Sequence, residues 1–414
     1  MTIADMEGTL IPKNWPRGSN NILKVIGVGG GGSNAVQYMY SQQIEQVDFV
    51  VCNTDRQALD GSTVPVKLQI GGILTKGLGA GQDATIGRKS ALESREAIEE
   101  HLEGNTQMLF IAAGMGGGTG TGAAPVIAEI ARTKGILTVG VVTLPARFLG
   151  NEVLFRAIEG VRELYRHVDS LLIIDNEKLF DIYADLDILT LLPKADEVLA
   201  TAVRSIAEII TVRGKINMDF ADVKKIMQNS NVSLMGIGIA SGKDRVSKAV
   251  EMALTSPLLN QLDLKTAKRA LVNITTSGGE HVIHGSEVTA LMEYIKELTN
   301  PELNSKMGLV QNDEMGENIG VTIIATGFEM TQLPIISEDA LKNNRIEVKY
   351  DLTNNKRGVP LCPDIESQIT KKEMITGIPA LITDNPQNIG ELESEPALTR
   401  REMMLQKQKL KQTE

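Results

Sequence analysis

Residues 114–122 read Gly-Met-Gly-Gly-Gly-Thr-Gly-Thr-Gly. Six of these nine positions are glycine, and they lie between an apolar run, Met108–Ala113 (MLFIAA), and a helical pattern predicted over Gly120–Thr133. Glycine at a strand-to-helix turn lets backbone N–H groups approach an anion, and the helix N-terminus adds a favourable dipole. Close packing of helix on sheet would account for one or two of the six, not for all. A second cluster lies upstream, Gly27-Val28-Gly29-Gly30-Gly31-Gly32-Ser33-Asn34, after the β-branched run Leu23–Val28 (LKVIGV). Alone it fits G-x-G-x-x-G at Gly27, Gly29 and Gly32, the pattern of a dinucleotide site. Such a site also asks for an acid about 20 residues further on, to hold ribose. Asp48 opens the next predicted strand instead of ending it, and Asp55 comes late. A dinucleotide fold has no use for the longer turn at 114–122. Two such turns at neighbouring strand ends can enclose a di- or triphosphate from both sides, with threonine hydroxyls as further donors. No G-x-x-x-x-G-K-[ST] is present, which excludes a Walker P-loop. A third turn, Gly77-Leu78-Gly79-Ala80-Gly81-Gln82, can close over the terminal phosphate.

Working outward, further buried strands are predicted at Val47–Cys52, Val64–Ile70, Leu137–Thr143 and Leu171–Asp175, and helices at Ser33–Ser41, Asp83–Leu102 and Glu152–His167. Alternating apolar strands and helices imply an α/β fold built on a doubly wound parallel sheet. A long helix over Ala195–Thr211 follows, with Val198, Leu199, Ala202, Val203, Ile206, Ile209 and Ile210 at helical spacing and Arg213-Gly214 ending it. A second, smaller α/β block runs from Asp219 to Glu329, with strands at Leu234–Ala240, Ala270–Thr276, near Met307–Gln311, and Ile319–Ala325, and helices near Asp244–Ala253 and Glu287–Glu297. Beyond Glu329 the periodicity decays. The expected organisation is an N-terminal extension (1–20), a nucleotide-binding domain (21–194), a connecting helix (195–216), a second domain (217–330), a flexible linker (331–390) and a C-terminal peptide (391–414). That last stretch is acidic and then basic. It suits either a solvated tail or a docking peptide.

The chain has 414 residues, with 42 Lys and Arg against 52 Asp and Glu, a net charge of −10. A duplex-DNA binder needs a basic face, so no nucleic-acid partner is expected. Two cysteines, Cys52 and Cys362, cannot make a disulfide framework and suit a reducing compartment. No apolar run approaches the ~18–20 residues of a membrane span, and the first residues carry no signal-like apolar core. A cytoplasmic protein without membrane insertion is expected. The four histidines show no ligand spacing, so no protein metal site is expected.

The run GGGTGTG at 116–122, within FIAAGMGGGTGTGAAPV (110–126), resembles the signature of the tubulin/FtsZ family. So do KVIGVGGGGSNAV (24–36), NTD (53–55), TKGLGAG (75–81), HVDSL (167–171), MDFADVK (218–224), ASGKDR (240–245) and SPLL (256–259). The resemblance implies a GTPase that polymerises head to tail into the bacterial division ring at midcell, with GTP or GDP between two subunits and Mg²⁺ held chiefly by phosphates and water. It places Gly30, Gly31, Gly32, Ser33 and Asn34 in the first phosphate turn, Gly79 and Ala80 in the third, and Gly116, Gly117, Gly118, Thr119, Gly120 and Thr121 in the second. Asn176 matches a base or ribose contact, and Glu197 stands where the family has aspartate for guanine. Asn217, Asp219 and Asp222 match the acidic loop that one subunit inserts into the site of the next. An isolated D-x-x-D is more often a helix cap; the surrounding NMDFADV assigns it to the acidic loop, and both roles can coexist. In the same way Glu197 alone reads as a first-turn acid favoured by the helix dipole. Three positions depart from the family pattern. Leu149 replaces a ribose-binding glutamate, Val153 an arginine, and Leu192 an aromatic that stacks on the base. They motivate an alternative, a structural relative that binds nucleotide but hydrolyses it poorly. By position, the C-terminal peptide implies an actin-like membrane tether as partner.

Overall fold

The computed structural model describes residues 21–44, 46–184, 186–211, 215–216, 218–254, 264–299 and 303–330. The expected N-terminal extension, linker and C-terminal peptide lie outside the described residues, as do Asn217, Arg213-Gly214, the SPLL run and Cys362.

The first half alternates strand and helix as its hydrophobic pattern demands: β1 (Leu23–Val28), α1 (Gly29–Ser41), β2 (Val47–Asn53), α2 (Arg56–Asp60), β3 (Val66–Gln69), α3 (Gly72–Thr75), α4 (Ala84–Glu93), α5 (Arg95–His101), β4 (Met108–Gly114), α6 (Thr119–Thr133), β5 (Leu137–Leu144), α7 (Asn151–Tyr165) and β6 (Ser170–Asp175). There follow α8 (Asn176–Ile182), α9 (Ile188–Thr211), α10 (Phe220–Met227), β7 (Asn231–Ala240), α11 (Arg245–Leu254), β8 (Arg269–Thr276), α12 (Gly285–Leu298), β9 (Asn304–Gln311) and β10 (Ile319–Phe328). The strands form one sheet in the order β3-β2-β1-β4-β5-β6-β7-β10-β8-β9. From β3 to β7 all neighbours are parallel; β10 is antiparallel to both β7 and β8. The two halves join through three residue pairs between β6 and β7, Ser170↔Asn231 to Leu172↔Ser233.

Both faces of the sheet are covered, which is why its strands read as continuous apolar runs. Along β1, Ile26 and Val28 pack with Ile127 of α6 and Leu154 of α7, whereas Leu23 and Val25 face the other way, towards Val36 of α1 and Val203 of α9. The order β3-β2-β1-β4-β5-β6 reverses between β1 and β4, and Val28 is in register with Ala113. The turns that leave these two strands therefore lie side by side in the crevice at the carboxyl edge, the ligand-binding position of open α/β sheets.

Three expectations are revised. The single helix over Asp83–Leu102 is two, broken at Ser94 (φ −101°, ψ 24°), whose hydroxyl accepts the Gly71 N–H at 3.0 Å. The long helix starts at Ile188, not Ala195, and carries Pro193 within it. Its start is capped by Asp187, which accepts from Thr190 N at 3.0 Å and from Thr190 Oγ1 at 2.7 Å. Proline so near the start removes one backbone bond without stopping the helix. The first helix begins at Gly29, four residues before Ser33, so the glycines form its opening turn.

Candidate functional site

A helix leaves its first N–H groups without intrahelical acceptors. In α1 those groups belong to Gly29–Gly32, and in α6 to the residues from Thr119 onward. The two starts touch: a Cβ on Gly29 would lie 2.7 Å from Gly120 N, and one on Gly31 3.3 Å from Gly114 Cα. Two helix N-termini thus lie side by side, an arrangement that suits an anion.

Packing explains more of the glycines than the sequence reading allowed. A Cβ on Gly32 would come 2.1 Å from Ala112 O, on Gly120 2.7 Å from Gly114 O, on Gly122 2.0 Å from Ala84 O, on Gly116 2.8 Å from Val153 Cγ1, and on Gly118 2.9 Å from Ala80 Cβ and Asp83 N. Close approach to the chain's own atoms therefore accounts for four of the six glycines at 114–122 (Gly116, Gly118, Gly120 and Gly122), where one or two were expected. Gly30 and Gly117 are different. Both are exposed and a Cβ on either meets nothing within 4 Å. They face the open side of the crevice.

The threonine hydroxyls already have protein partners. Thr121 Oγ1 accepts Gly116 N at 2.9 Å, and the Thr119 and Thr54 hydroxyls hydrogen-bond to each other at 2.7 Å. Ala80 is buried against the 114–122 turn, and Gly79 (φ +85°) lets the third turn bend beside Asp55. Arg156, on α7, ties the turns together: Nε donates to Gly116 O at 2.7 Å and Nη1 to Gln82 O at 2.6 Å. Because C=O and the next N–H point in opposite directions across a trans peptide, holding Gly116 O towards Arg156 turns the Gly117 N–H away from it, out of the packed side of the turn. Arg156 lies one helical turn beyond Val153, so the same helix carries a cation beside the turns although position 153 has none. The sequence reading missed it because it compared residues position by position and not along the helix face.

Five buried side-chain polar atoms have no hydrogen-bond partner among the described residues, and two of them, Ser33 Oγ and Asn176 Oδ1, belong to predicted nucleotide-binding residues. An unpaired buried acceptor or hydroxyl costs stability until something meets it. Asn176 opens α8, capped by Asp175, which accepts Glu177 N at 3.0 Å; burial raises the Asp175 carboxyl above its usual range. Asn34 is exposed one turn into α1, in line with Gly30 and Gly31. Leu149 and Phe148 are exposed in the short turn before α7, with Phe148 edge-on to Phe180 at 5.2 Å. On α9, Glu197 pairs with Lys194 at 2.7 Å. Its neighbour Asp196 is the perturbed acid, pushed up to about 6 by burial, and the sequence reading passed over it. The Leu192 side chain lies outside the described residues.

Asp219 caps α10, accepting Asp222 N at 2.8 Å, and the Asp222 carboxylate pairs with Lys306 Nζ at 2.9 Å. Both acids lie far from the glycine turns. α1 leads away from the crevice, and Arg204 of α9 meets Gln42, just past the far end of α1, at 3.1 Å. α9 continues seven residues beyond Arg204, about 10 Å at 1.5 Å per residue. The acidic pair follows that end. Among the described residues no three His, Cys, Asp or Glu side chains gather as a metal site, and no helix is long and apolar enough to cross a membrane.

The model of the Tubulin/FtsZ family GTPase domain matches residues 22–184, and that of the FtsZ family C-terminal domain matches residues 231–329. The cell division protein FtsZ of Porphyromonas gingivalis is 39% identical over 416 aligned positions, covering 97% of this chain and 90% of its own. The chain belongs to the tubulin/FtsZ family. FtsZ of Azotobacter vinelandii is 48% identical over 308 aligned positions, 74% of this chain and 77% of its own. Among solved structures, the empty FtsZ dimer of M. jannaschii superposes with a TM-score of 0.69 at 38% identity, over 75% of this chain and 89% of that one. Membership of the tubulin/FtsZ family makes this chain a GTP-binding GTPase, and the converging helix starts with their two open glycines are the feature that suits a guanine nucleotide's phosphates.

Proposed function

We propose that this chain is a cell-division GTPase that polymerises head to tail, and that each GTP is hydrolysed where two copies meet. The glycine turns of one copy hold the phosphates; Asp219 and Asp222 of the next, with Asn217, orient and activate the attacking water. The observation that carries this reading is the separation of the acidic pair from the glycine turns by the length of α1 and the last seven residues of α9. A carboxylate that must reach the γ-phosphate cannot do so within one chain. Phosphoryl transfer asks the protein mainly for positioning and charge stabilisation, and a carboxylate adds an acceptor for the water's proton.

Asn34, Asn176 and Glu197 line the nucleoside side in this proposal, with Ser33 in the first phosphate turn and Gly79, Ala80 and Arg156 closing the turns over the phosphates. A glutamate accepting from the ring N–H and the exocyclic amine selects guanine over adenine. Mg²⁺ is held by phosphate oxygens and water; the donor set at the turns is backbone N–H and hydroxyl, which suits a metal arriving with its nucleotide. Residues 21–194 form the nucleotide-binding part, 195–216 the connection and 217–330 the part carrying the acidic loop. The filament forms the cytoplasmic ring at midcell, and residues 391–414 dock on an actin-like membrane tether. Leu149 and Val153 motivate a second reading, nucleotide binding with weak hydrolysis; Arg156 and the intact Asp219 and Asp222 weigh against it.

The test is the GTPase rate per subunit against protein concentration, with pelleting in parallel. Negligible turnover below a threshold and a sharp rise above it are expected. A rate per subunit independent of concentration refutes a shared site.

A further inference from the structure

Lys306 belongs to β9, at the edge of the sheet, yet its side chain does nothing for the core: it is about half exposed, at 49%. Its Nζ instead lies 2.9 Å from Asp222 Oδ1, and Asp219 adds to the negative field it feels. The rest of β9 grips the same loop. Leu309 N donates to Ile216 O at 3.1 Å and Leu309 O accepts Lys215 N at 2.8 Å, so the chain entering the acidic loop is added to the strand edge. A Cβ on Gly308 would come 2.8 Å from Met218 Cε, which places the buried Met218 directly over that glycine. Positions 306, 308 and 309 thus hold 222, 218 and 216.

An ion pair between solvent-exposed groups adds little to folding. The charge balance at the proposed contact gives it another use. Two carboxylates approaching a triphosphate are repelled by it, in a chain that is already net negative. A lysine between them offsets that repulsion, and by engaging Oδ1 it leaves Oδ2 to accept from water.

We propose that Lys306 is a positioning residue for GTP hydrolysis, acting through Asp222: it fixes the rotamer of that carboxylate and carries a compensating positive charge to the neighbouring copy's phosphates. This rests on the reading that the acidic loop serves the next subunit's site. Cations supplied in trans are a recurring device of phosphoryl transfer; here the cation travels with the acid.

The test uses the full chain as Lys306→Met, Lys306→Ala and Lys306→Arg, with Asp222→Ala alongside. GTP affinity is measured below the assembly threshold, and filaments and turnover above it. For Lys306→Met the expectation is unchanged GTP affinity, retained pelleting, and turnover at saturating GTP lower by about tenfold or more. Lys306→Arg keeps most of the turnover. Added methylammonium or ethylammonium partly restores Lys306→Ala, which a purely structural side chain would not permit. Wild-type turnover in Lys306→Met overturns the proposal. So does lost GTP affinity in the unassembled variant, and so does failure of both arginine and alkylammonium to restore a folded, assembling protein. Asp222→Ala separates the two layers. If it hydrolyses GTP normally, the acidic-loop reading itself fails; if it is inactive while Lys306→Met is active, only the lysine assignment fails.

Discussion

Gly30→Ala and Gly117→Ala test whether the phosphates lie where the structure leaves room. A Cβ at either position meets no protein atom within 4 Å, and neither glycine has positive φ. The added methyl costs the empty protein nothing in packing; at Gly30, within a helix, it gains up to about 1 kcal/mol of propensity. The nucleotide-free melting temperature should stay level or rise slightly. If the neighbouring N–H groups donate to phosphate oxygens, the methyl intrudes on that contact. One charge-assisted hydrogen bond is worth about 1.5–3 kcal/mol. At about 1.4 kcal/mol per decade, each variant should bind GTP roughly 10- to 150-fold more weakly. Gly118→Ala should differ by lowering the nucleotide-free stability. Its Cβ would press on Ala80 Cβ and Asp83 N, both at 2.9 Å, so the third turn must move. Overpacking of this kind costs about 1–3 kcal/mol. With unfolding entropy near 2 cal/mol/K per residue over roughly 300 residues, that lowers the melting temperature by about 2–5 °C. The assays are equilibrium GTP binding below the assembly threshold and thermal denaturation without nucleotide. Wild-type GTP affinity in both Gly30→Ala and Gly117→Ala would refute the placement of the phosphates, whatever Gly118→Ala does.

Arg156→Met keeps the aliphatic bulk of the side chain but frees Gly116 O and Gln82 O; GTP affinity should fall about tenfold or more, with Arg156→Lys intermediate, and unchanged binding in a titration would show that the clamp is idle. Asp219→Ala removes the α10 cap, about 1 kcal/mol, and should also lower turnover; Asp222→Ala should abolish hydrolysis while sparing GTP binding and pelleting, and a binding defect by calorimetry would place that acid elsewhere. Burial holds the Asp196 carboxyl at about 6, above its ordinary 3.8. The folded chain therefore binds this proton more tightly than the unfolded one, the ionised form is a liability above about pH 6, and that liability fades as pH falls towards 4. Nucleotide-free Asp196→Asn should melt higher than wild type at pH 7–8, with the gain vanishing near pH 4; no pH dependence in the difference would contradict the assignment. Cys52 is fully buried, and burial pushes its thiol up to about 12. In a Cys362→Ser background it should resist alkylation until the protein unfolds; rapid labelling in native buffer would count against the packing of β2.

The doubly wound half was legible because both faces of its sheet are covered: β1, β2, β4, β5 and β6 are buried along nearly their whole length and read as apolar runs. What stayed hidden was decided by single side-chain contacts. Nothing in the helical pattern of 83–102 marks Ser94 as the break, because its hydroxyl is committed to Gly71 N, more than twenty residues away in sequence. The apolar spacing began α9 at Ala195, and the Asp187 cap that starts it earlier shows no hydrophobic period. β9 was weak because its inward residues are few: Ser305, Met307 and Leu309 are only partly covered, and Gly308 and Val310 are its buried positions. At the site, residue types were readable and their partners were not. Asp222 was visible, Lys306 was not, since 84 positions of chain separate two atoms that lie 2.9 Å apart.

The glycine turns show why a packing role and a binding role are hard to separate from sequence. Donors from two helices can converge on one anion only if the helices start close together, and here a Cβ on Gly29 would fall 2.7 Å from Gly120 N. Gly120 in turn must clear Gly114 O, and Gly32 must clear Ala112 O. These contacts bring α1 and α6 together at the reversal between β1 and β4. Glycines that touch only the chain's own atoms thereby set the spacing at which Gly30 and Gly117 present their N–H groups. Replacing one of the packing glycines should weaken nucleotide binding as well, but through a displaced helix start. Its signature is a lower melting temperature without nucleotide, which the open positions do not share. Most glycines of the motif are therefore required by the chain's own packing whether or not they also contact phosphate, and the two roles come apart only when stability and affinity are measured on the same variants.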